Sequence, residues 1–432
     1  MAKFLFVSYE GLIADIAWQV VKEGHETRLW IENPEERGIA DGFVPKTDEW
    51  KKEVDWADVV VFDDVLGMGT MAEELRARGK AVVGGSAYTD RLEDDRAFGQ
   101  QELKAVGVPI IPHENFTSFD EAVAYVQENP NRYVIKPSGE AQNIKRLLFV
   151  GEEDDGRDVM QVLQDYKRAW SDKVKEFQLQ KRIVGVEVAV GAFFNGKEFV
   201  TPVCVNFEHK KLFPGDIGPP TGEMGTSMFW SEPNRLFNAT LKKMEAKLAE
   251  NRYTSYVDIN CIVNNNGIYP LEFTSRFGYP AISIQQEGLL TPIGELLQGL
   301  AAGTLTKLRA RSGFQVGVRI VVPPFPYADK QTFESTSKDS AILFKTPGRE
   351  GVHIEEVKQV DGAQGPEWRV AGASGVVLVV CGTGPTMKQA QRQAYNRVRN
   401  VMIPYMYYRD DIGERWSEDS DRLHAWGYLR ET

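Results

Sequence analysis

The chain has 432 residues, with 51 Lys and Arg against 62 Asp and Glu, a formal charge of −11 at neutral pH. That length accommodates about two to four domains. The acidic balance argues against a nucleic-acid surface, and no apolar run approaches the roughly 18 residues that span a bilayer, so a cytoplasmic protein without membrane partners is expected. The start, MAKFLFVSYEG, reads as a charged residue and a short strand, not as a signal peptide. Cys204, Cys261 and Cys381 are scattered in apolar runs and read as small buried hydrophobes in a reducing compartment. The histidines show no metal-ligand spacing.

In chain order, FLFVS at 4–8, TRLWI at 27–31, Val59–Phe62 and AVVGG at 81–85 predict short apolar strands. Helical patterns over Ile13–Lys22 and Met71–Arg78 alternate with them, which implies parallel βαβ units and a doubly wound domain over 1–90. It contains no G-x-G-x-x-G, and Gly84 and Gly85 read as strand ends. From 91 onward, YVIKPSG at 133–139 predicts a strand that delivers Lys136 to its end, and GEEDDGRD at 151–158 reads as a solvated turn. QLQKRIVGVEVAVGAFFNGKEFV at 178–200 predicts two strands joined by Asn195 and Gly196. After Ser312 the runs VGVRIVVPPF, VHIEEVKQV and GVVLVVCG are strand-like, and a helix is predicted over Met387–Met402 with Ala390, Ala394, Val398, Val401 and Met402 as its packing stripe. The expected division is 1–90, 91–312 with a subdomain at 110–182, and a β-rich 313–432.

The most informative stretch is Tyr253–Pro280, whose alternation sets Asp258, Asn260, Glu272, Thr274 and Arg276 on one face and Val257, Ile259, Cys261, Val263, Leu271, Phe273 and Phe277 on the other. NNNG at 264–267 is hairpin chemistry. Closure around Asn265 would set Asp258 opposite Glu272 with Cβ atoms roughly 4.5 to 5.5 Å apart, where two carboxylates need a cation between them. A hard divalent ion that also holds substrate phosphates suits such a pair. An accidental acid pair on a solvent-facing strand is the alternative.

Four stretches resemble the phosphoribosylamine–glycine ligase family of ATP-grasp enzymes: GDIGPPTGEMG at 215–225, LEFTSRFGYP at 271–280, the segment 386–413 ending in YYRDDIG, and AYTDRLEDDRAFGQQELKAVGVPIIPH at 87–113. The resemblance implies an α/β (α+β) ATP-grasp fold and an ATP-dependent carboxylate–amine ligase. In such an enzyme a carboxylate such as glycine attacks the γ-phosphate of ATP, and an amine captures the resulting acyl phosphate. It further implies that Arg96, Lys136 and Lys145 meet phosphates, Gln180 the adenine and Glu187 the ribose. Asp258, Glu272 and Thr274 would hold Mg²⁺, with Mn²⁺ able to replace it. Arg276 would stabilise the transferred phosphoryl group, and Asp216 would orient the amine. A monomer or homodimer is expected.

The departures from the family are as telling. Its glycine-rich loop with Arg, Glu and His falls on SYEGLIA at 8–14, its third-strand loop on DDVLGMG, and its loop over ATP on PSGEAQNIKR with Lys145 as the stand-in lysine. A phosphate cradle after the first strand is therefore not expected, and a substrate other than phosphoribosylamine is. Genuine phosphoribosylamine–glycine ligation in purine biosynthesis, and a nucleotide-binding regulator without turnover, are the alternatives.

Overall fold

A computed structural model describes residues 1–432 except 139, 140, 142, 143, 145, 146, 364 and 432. The first four strands form a parallel sheet in the order Glu26–Ile31, Lys3–Ser8, Val59–Phe62, Ala81–Val83. Their side chains divide with period two. Phe4, Phe6, Val59, Val61 and Val83 enter one core with the helices Ala14–Lys22 and Ile293–Ala302. Leu5, Val7, Val60, Phe62 and Val82 enter another with Met68, Ala72 and Leu75 of the helix Met68–Ala77. Coverage on both faces explains why these strands read as unbroken apolar runs. The second helix starts three residues before the predicted Met71, because Gly67 adopts φ 78° and turns the chain into it.

A second sheet is antiparallel, in the order His113–Phe116, Phe177–Lys181, Tyr133–Pro137, Phe149–Val150. Tyr133, Ile135, Phe177 and Leu179 pack with Ala122 and Val126 of one helix, Phe119–Glu128, and with Val159 and Leu163 of another, Arg157–Trp170. Lys136 pairs with Gln178 and Val134 with Gln180, so these polar side chains share the opposite face. The acidic run at 151–158 is an exposed turn as expected. It also leads into the second of those helices, where Asp158 accepts from the Glu152 amide at 2.6 Å.

The largest sheet has eight antiparallel strands: Gly267–Thr274, Tyr256–Asn264, Val186–Phe193, Val203–Glu208, Gly225–Ser231, Phe314–Val321, Val376–Gly384 and Val352–Ile354. It runs through strands on either side of residue 312. The predicted hairpin at Asn195 and Gly196 reduces to one bridge between Phe194 and Phe199, since Val186–Phe193 pairs with Val203–Glu208 and Tyr256–Asn264. VHIEEVKQV divides into Val352–Ile354 and Val357–Gly362 because Glu355 and Glu356 are both buried and take different partners. Glu355 meets Arg319, whereas Glu356 accepts from Ser374 and from the Gly375 amide. The last predicted helix ends at Val398; Val401–Met402 pairs with Leu343–Phe344 instead, and Met402 is exposed. Ala390, Ala394 and Val398 are buried as expected.

The hairpin register differs from the predicted one. Asn264 pairs with Gly267, so the turn closes between Asn265 and Asn266, and a bulge at Asn260 and Cys261 leaves Leu271 without a partner before Pro270. Proline has no N–H for the ladder, which favours the bulge there. Asp258 consequently lies opposite Thr274, and Asn260 lies opposite Glu272.

Candidate active site

The polar face of this hairpin, the start of the helix Arg96–Ala105, and the strand end at Glu208 border a cleft of about 650 Å³ lined by Arg96, Glu208, Lys210, Asp258, Glu272 and Arg276 among others. Strand alternation aims these groups. In Val203–Glu208, Val205 and Phe207 enter the core below, which turns Asn206 and Glu208 to the other face. The same rule places Asp258 and Asn260 above Val257, Ile259 and Cys261.

Lys210 is the hub of the cleft. Its ammonium lies 3.0 Å from Glu187, 3.3 Å from Glu208 and 3.3 Å from Glu272. Burial opposes the charge, but the three carboxylates hold the Lys210 pKa well above its ordinary value. In return Lys210, joined by Arg96 and Lys136, holds the carboxyl of the half-exposed Glu272 down at about 2. Asp258 behaves in the opposite way. Burial first, and then the Glu208 charge, push its pKa well above the carboxylate range, while the Thr274 hydroxyl opposes this. Its Oδ1 has no hydrogen-bond partner, and neither has Oδ1 of Asn260, whose amide nitrogen donates to Glu208 at 3.0 Å.

Lys136 ends its strand in a buried position, where burial and then Arg96 lower its pKa to about 8. Arg96 donates to the Pro137 carbonyl at 3.2 Å and so ties the helix start to that strand end. Gln180 is buried on the Lys136 face, and Gln178, paired with Lys136, has an unpartnered Oε1. Glu187 is half-buried against Lys210. Arg276 donates to the Phe277 carbonyl at 2.9 Å, meets Glu93 at 3.1 Å and lies 5.7 Å from the centre of the Tyr279 ring. Lys145 lies outside the described residues.

Asp216 is not among the residues lining the cleft. It adopts φ 55° and is held by Arg409 at 2.8 Å and Arg415 at 3.2 Å. Those arginines belong to the C-terminal segment, which draws the carboxylate away from the hairpin. The same loop sends Glu223 into the cleft instead, where burial and then Glu208 raise its carboxyl to about 8.

Sequence reasoning missed Lys210, Glu208, Glu223, Gln178 and Glu93. The alternation of VCVNFE could have placed Glu208, and that of FQLQK could have placed Gln178 beside Gln180. The three-carboxylate setting of Lys210 depends on contacts between distant strands and had no local signal.

The cleft suits a nucleotide-bound divalent ion. Among the described residues no three His, Cys, Asp or Glu side chains form a ready cage. Mg²⁺ usually keeps waters and substrate phosphates and takes only one or two carboxylates, so the unpartnered Asp258 oxygen, Glu272 and the Thr274 hydroxyl match its needs.

Residues 94–282 match the family model described as phosphoribosylglycinamide synthetase, ATP-grasp (A) domain. A phosphoribosylamine–glycine ligase from Rhizobium meliloti is 25% identical over 431 residues, covering 96% of this chain and 98% of the relative. The crystal structure of the Thermotoga maritima phosphoribosylamine–glycine ligase superposes with a TM-score of 0.69 at 22% identity, covering 95% of this chain and 100% of that one. The biotin carboxylase domain of the Hydrogenobacter thermophilus 2-oxoglutarate carboxylase gives 0.62 at 14% identity, covering 100% and 99%. Among the described residues no helix is long and apolar enough to cross a membrane. With its parallel N-terminal sheet and hairpin-bordered cleft, the chain has the ATP-grasp fold and resembles phosphoribosylamine–glycine ligase over nearly its whole length.

Proposed function

We propose that the protein joins a carboxylate to an amine at the expense of ATP, through an acyl phosphate, and that its acceptor is not phosphoribosylamine. The observation behind the first part is the placement of Asp258, Glu272 and Thr274 on one wall of a cleft whose facing groups are Arg96 and Lys210, with Lys136 behind them. In this reading Arg96, Lys136 and Lys145 neutralise the nucleotide phosphates, Gln180 accepts from the adenine amine, and Glu187 receives the ribose hydroxyls. Lys210 moves from its three carboxylates toward phosphate as the nucleotide enters. Asp258, Glu272 and Thr274 would hold magnesium, which neutralises phosphate charge when bound. Arg276 presents its guanidinium to the transferred phosphoryl group, a planar fork suited to oxyanions. Rate enhancement then comes from positioning and charge neutralisation, not from an enzyme nucleophile.

Asp216 is assigned to a positioning role, since its pairing with Arg409 and Arg415 anchors the loop that presents Glu223. The division at residues 90 and 312, with 110–182 as an ATP subdomain, is part of the same proposal. The second part rests on SYEGLIA at 8–14, which lacks the glycines and the Arg-Glu-His group expected of a phosphate-holding loop.

The test is ADP release by the purified chain across a matrix of amino acids and amines, with phosphoribosylamine generated in situ. ADP is expected only when one carboxylate and one amine are both present. Turnover of glycine and phosphoribosylamine at a kcat/KM on the order of 10⁴ M⁻¹s⁻¹ or above would overturn the acceptor assignment. ATP-dependent thermal stabilisation without ADP release from any pair would overturn the ligase reading.

A further inference from the structure

Glu223 differs from the other acids that line the cleft. Thr226 stands opposite Glu208 in the ladder, so it shares the polar face of the sheet with Glu208, and its hydroxyl donates to Oε1 of Glu223. That bond fixes the carboxyl on the cleft wall, where the residue is only 5% exposed. The loop that carries it is fastened on both sides. The Thr221 amide donates to the Lys210 carbonyl at 2.8 Å, and the Met224 amide donates to the His209 carbonyl at 2.8 Å.

The charges acting on this carboxyl are Glu208, Lys210 and Arg319. Both cations are engaged elsewhere. Lys210 is shared by Glu187, Glu208 and Glu272. Arg319 grips Glu355 through Nε at 2.8 Å and through Nη2, and its Nη1 donates to the main-chain carbonyl of Glu223 at 2.9 Å, not to the side chain. Among the described residues the Glu223 carboxyl has no ion pair, and its Oε2 takes no hydrogen bond. A buried carboxyl beside another carboxylate, with no counter-ion of its own, keeps its proton, in agreement with its rise to about 8. Because Oε1 is filled as an acceptor, that proton belongs on Oε2.

We propose that Glu223 serves the ligation as a neutral hydrogen-bond donor, its Oε2–H binding an oxygen of the carboxylate substrate and staying on that oxygen until the amide has formed. The role deepens the ligase reading and rests on it for what the carboxylate becomes. A neutral amine nitrogen bonds to the acyl carbon, and the acyl oxygen gains negative charge. The bond from carbon to the phosphate oxygen then breaks with its electron pair leaving on phosphate, which takes the surplus proton of the nitrogen, while Glu223 keeps its own proton throughout. The bound oxygen is anionic as the carboxylate, neutral as the acyl phosphate and anionic again on attack. A neutral donor suits all three stages, whereas an ionised Glu223 would repel the first and the last.

The experiment joins infrared difference spectroscopy to the ADP-release assay, both on the full chain. Wild type minus Glu223→Gln is expected to show a protonated-carboxyl band at about pH 7 that is lost by about pH 10. With MgADP bound, at least one of glycine, acetate and succinate should move that band to lower frequency. Glu223→Gln retains a neutral donor and should keep turnover within about fivefold of wild type, whereas Glu223→Met, which has none, should lose about a hundredfold in kcat/KM for the carboxylate. At saturating MgATP the wild-type kcat/KM for the carboxylate should be level below pH 8 and fall about tenfold per unit above it, and Glu223→Gln should remove the fall. Circular dichroism checks the fold, and the band and the Gln profile decide the matter even where the Met variant unfolds. A band absent at neutral pH, a band that none of the three carboxylates moves, or a folded Glu223→Gln as inactive as Glu223→Met would overturn the donor. A band moved by a carboxylate without ADP release from any pair would sustain the donor and sink the ligase reading. ADP release beside a band that none of the three moves would do the reverse.

Discussion

The two ends of the cleft share the hairpin as a wall and differ in how their charges are balanced. At the nucleotide end, Lys210 satisfies Glu187, Glu208 and Glu272 together, and Glu272 is held fully ionised. At the N-terminal end, Glu36 and Asp63 are buried with unpartnered oxygens and raised pKa values. One end already holds a cation shared by three carboxylates, which a phosphate and its metal can enter by exchange, and beside it Asp258 keeps an unpartnered oxygen. The other holds buried carboxyl groups that burial keeps protonated to higher pH. The difference teaches that buried acids of one sign can mean two things, and that the partners of each oxygen decide between them.

The comparison breaks most visibly at Glu272. Replacing it with Gln removes the carboxylate that faces Lys210, Arg96 and Lys136, and ADP release is expected to fall by about a thousandfold or more. The side chain is half-exposed, so the midpoint of thermal unfolding should move little, by the equivalent of roughly 0.5 kcal/mol. Normal turnover by this variant would make Glu272 a plain strand residue.

Lys136→Met is expected to raise the KM for ATP by about ten- to a hundredfold, the scale of one hydrogen bond to a charged group at about 1.5 to 3 kcal/mol. A matching pH effect follows from the same residue. Its pKa is lowered to about 8, and the protonated form is the one that meets phosphate. In the free enzyme kcat/KM for ATP should therefore be level below pH 8 and fall about tenfold per unit above it. Lys136→Arg, which stays charged, should remove that fall.

How much of this was legible in the sequence depends on the range of the contact. The N-terminal strands, the Lys136 strand end and the polar face of the hairpin follow from period-two patterning, which local chemistry enforces. The pairing of Asp258 with Glu272 failed because the turn closes one position later and the bulge before Pro270 shifts the ladder again. Neither displacement can be read from alternation alone. Asp216 lies away from the cleft for another reason. Its partners Arg409 and Arg415 lie almost two hundred residues downstream, |i−j| = 193 and 199, and only folding brings them to it. Lys210 is the same case in reverse, a lysine in an unremarkable run whose neighbours come from three strands.

The smallest effect sharpens the boundary of the cleft. Asp216→Asn keeps a hydrogen-bonding side chain between Arg409 and Arg415 and touches no residue that lines the cleft. Turnover under saturating substrates should change by less than about threefold, the range expected of a distant surface substitution. A loss of a hundredfold or more would return Asp216 to the amine.

The central claim, that the hairpin face holds a metal–nucleotide complex, is tested most directly by electron paramagnetic resonance of Mn²⁺ with ATP and the protein. The wild-type chain is expected to give a bound Mn²⁺–ATP signal that disappears in the Asp258→Asn, Glu272→Gln double variant, while circular dichroism shows the variant folded. An undiminished signal from the folded double variant would contradict the account.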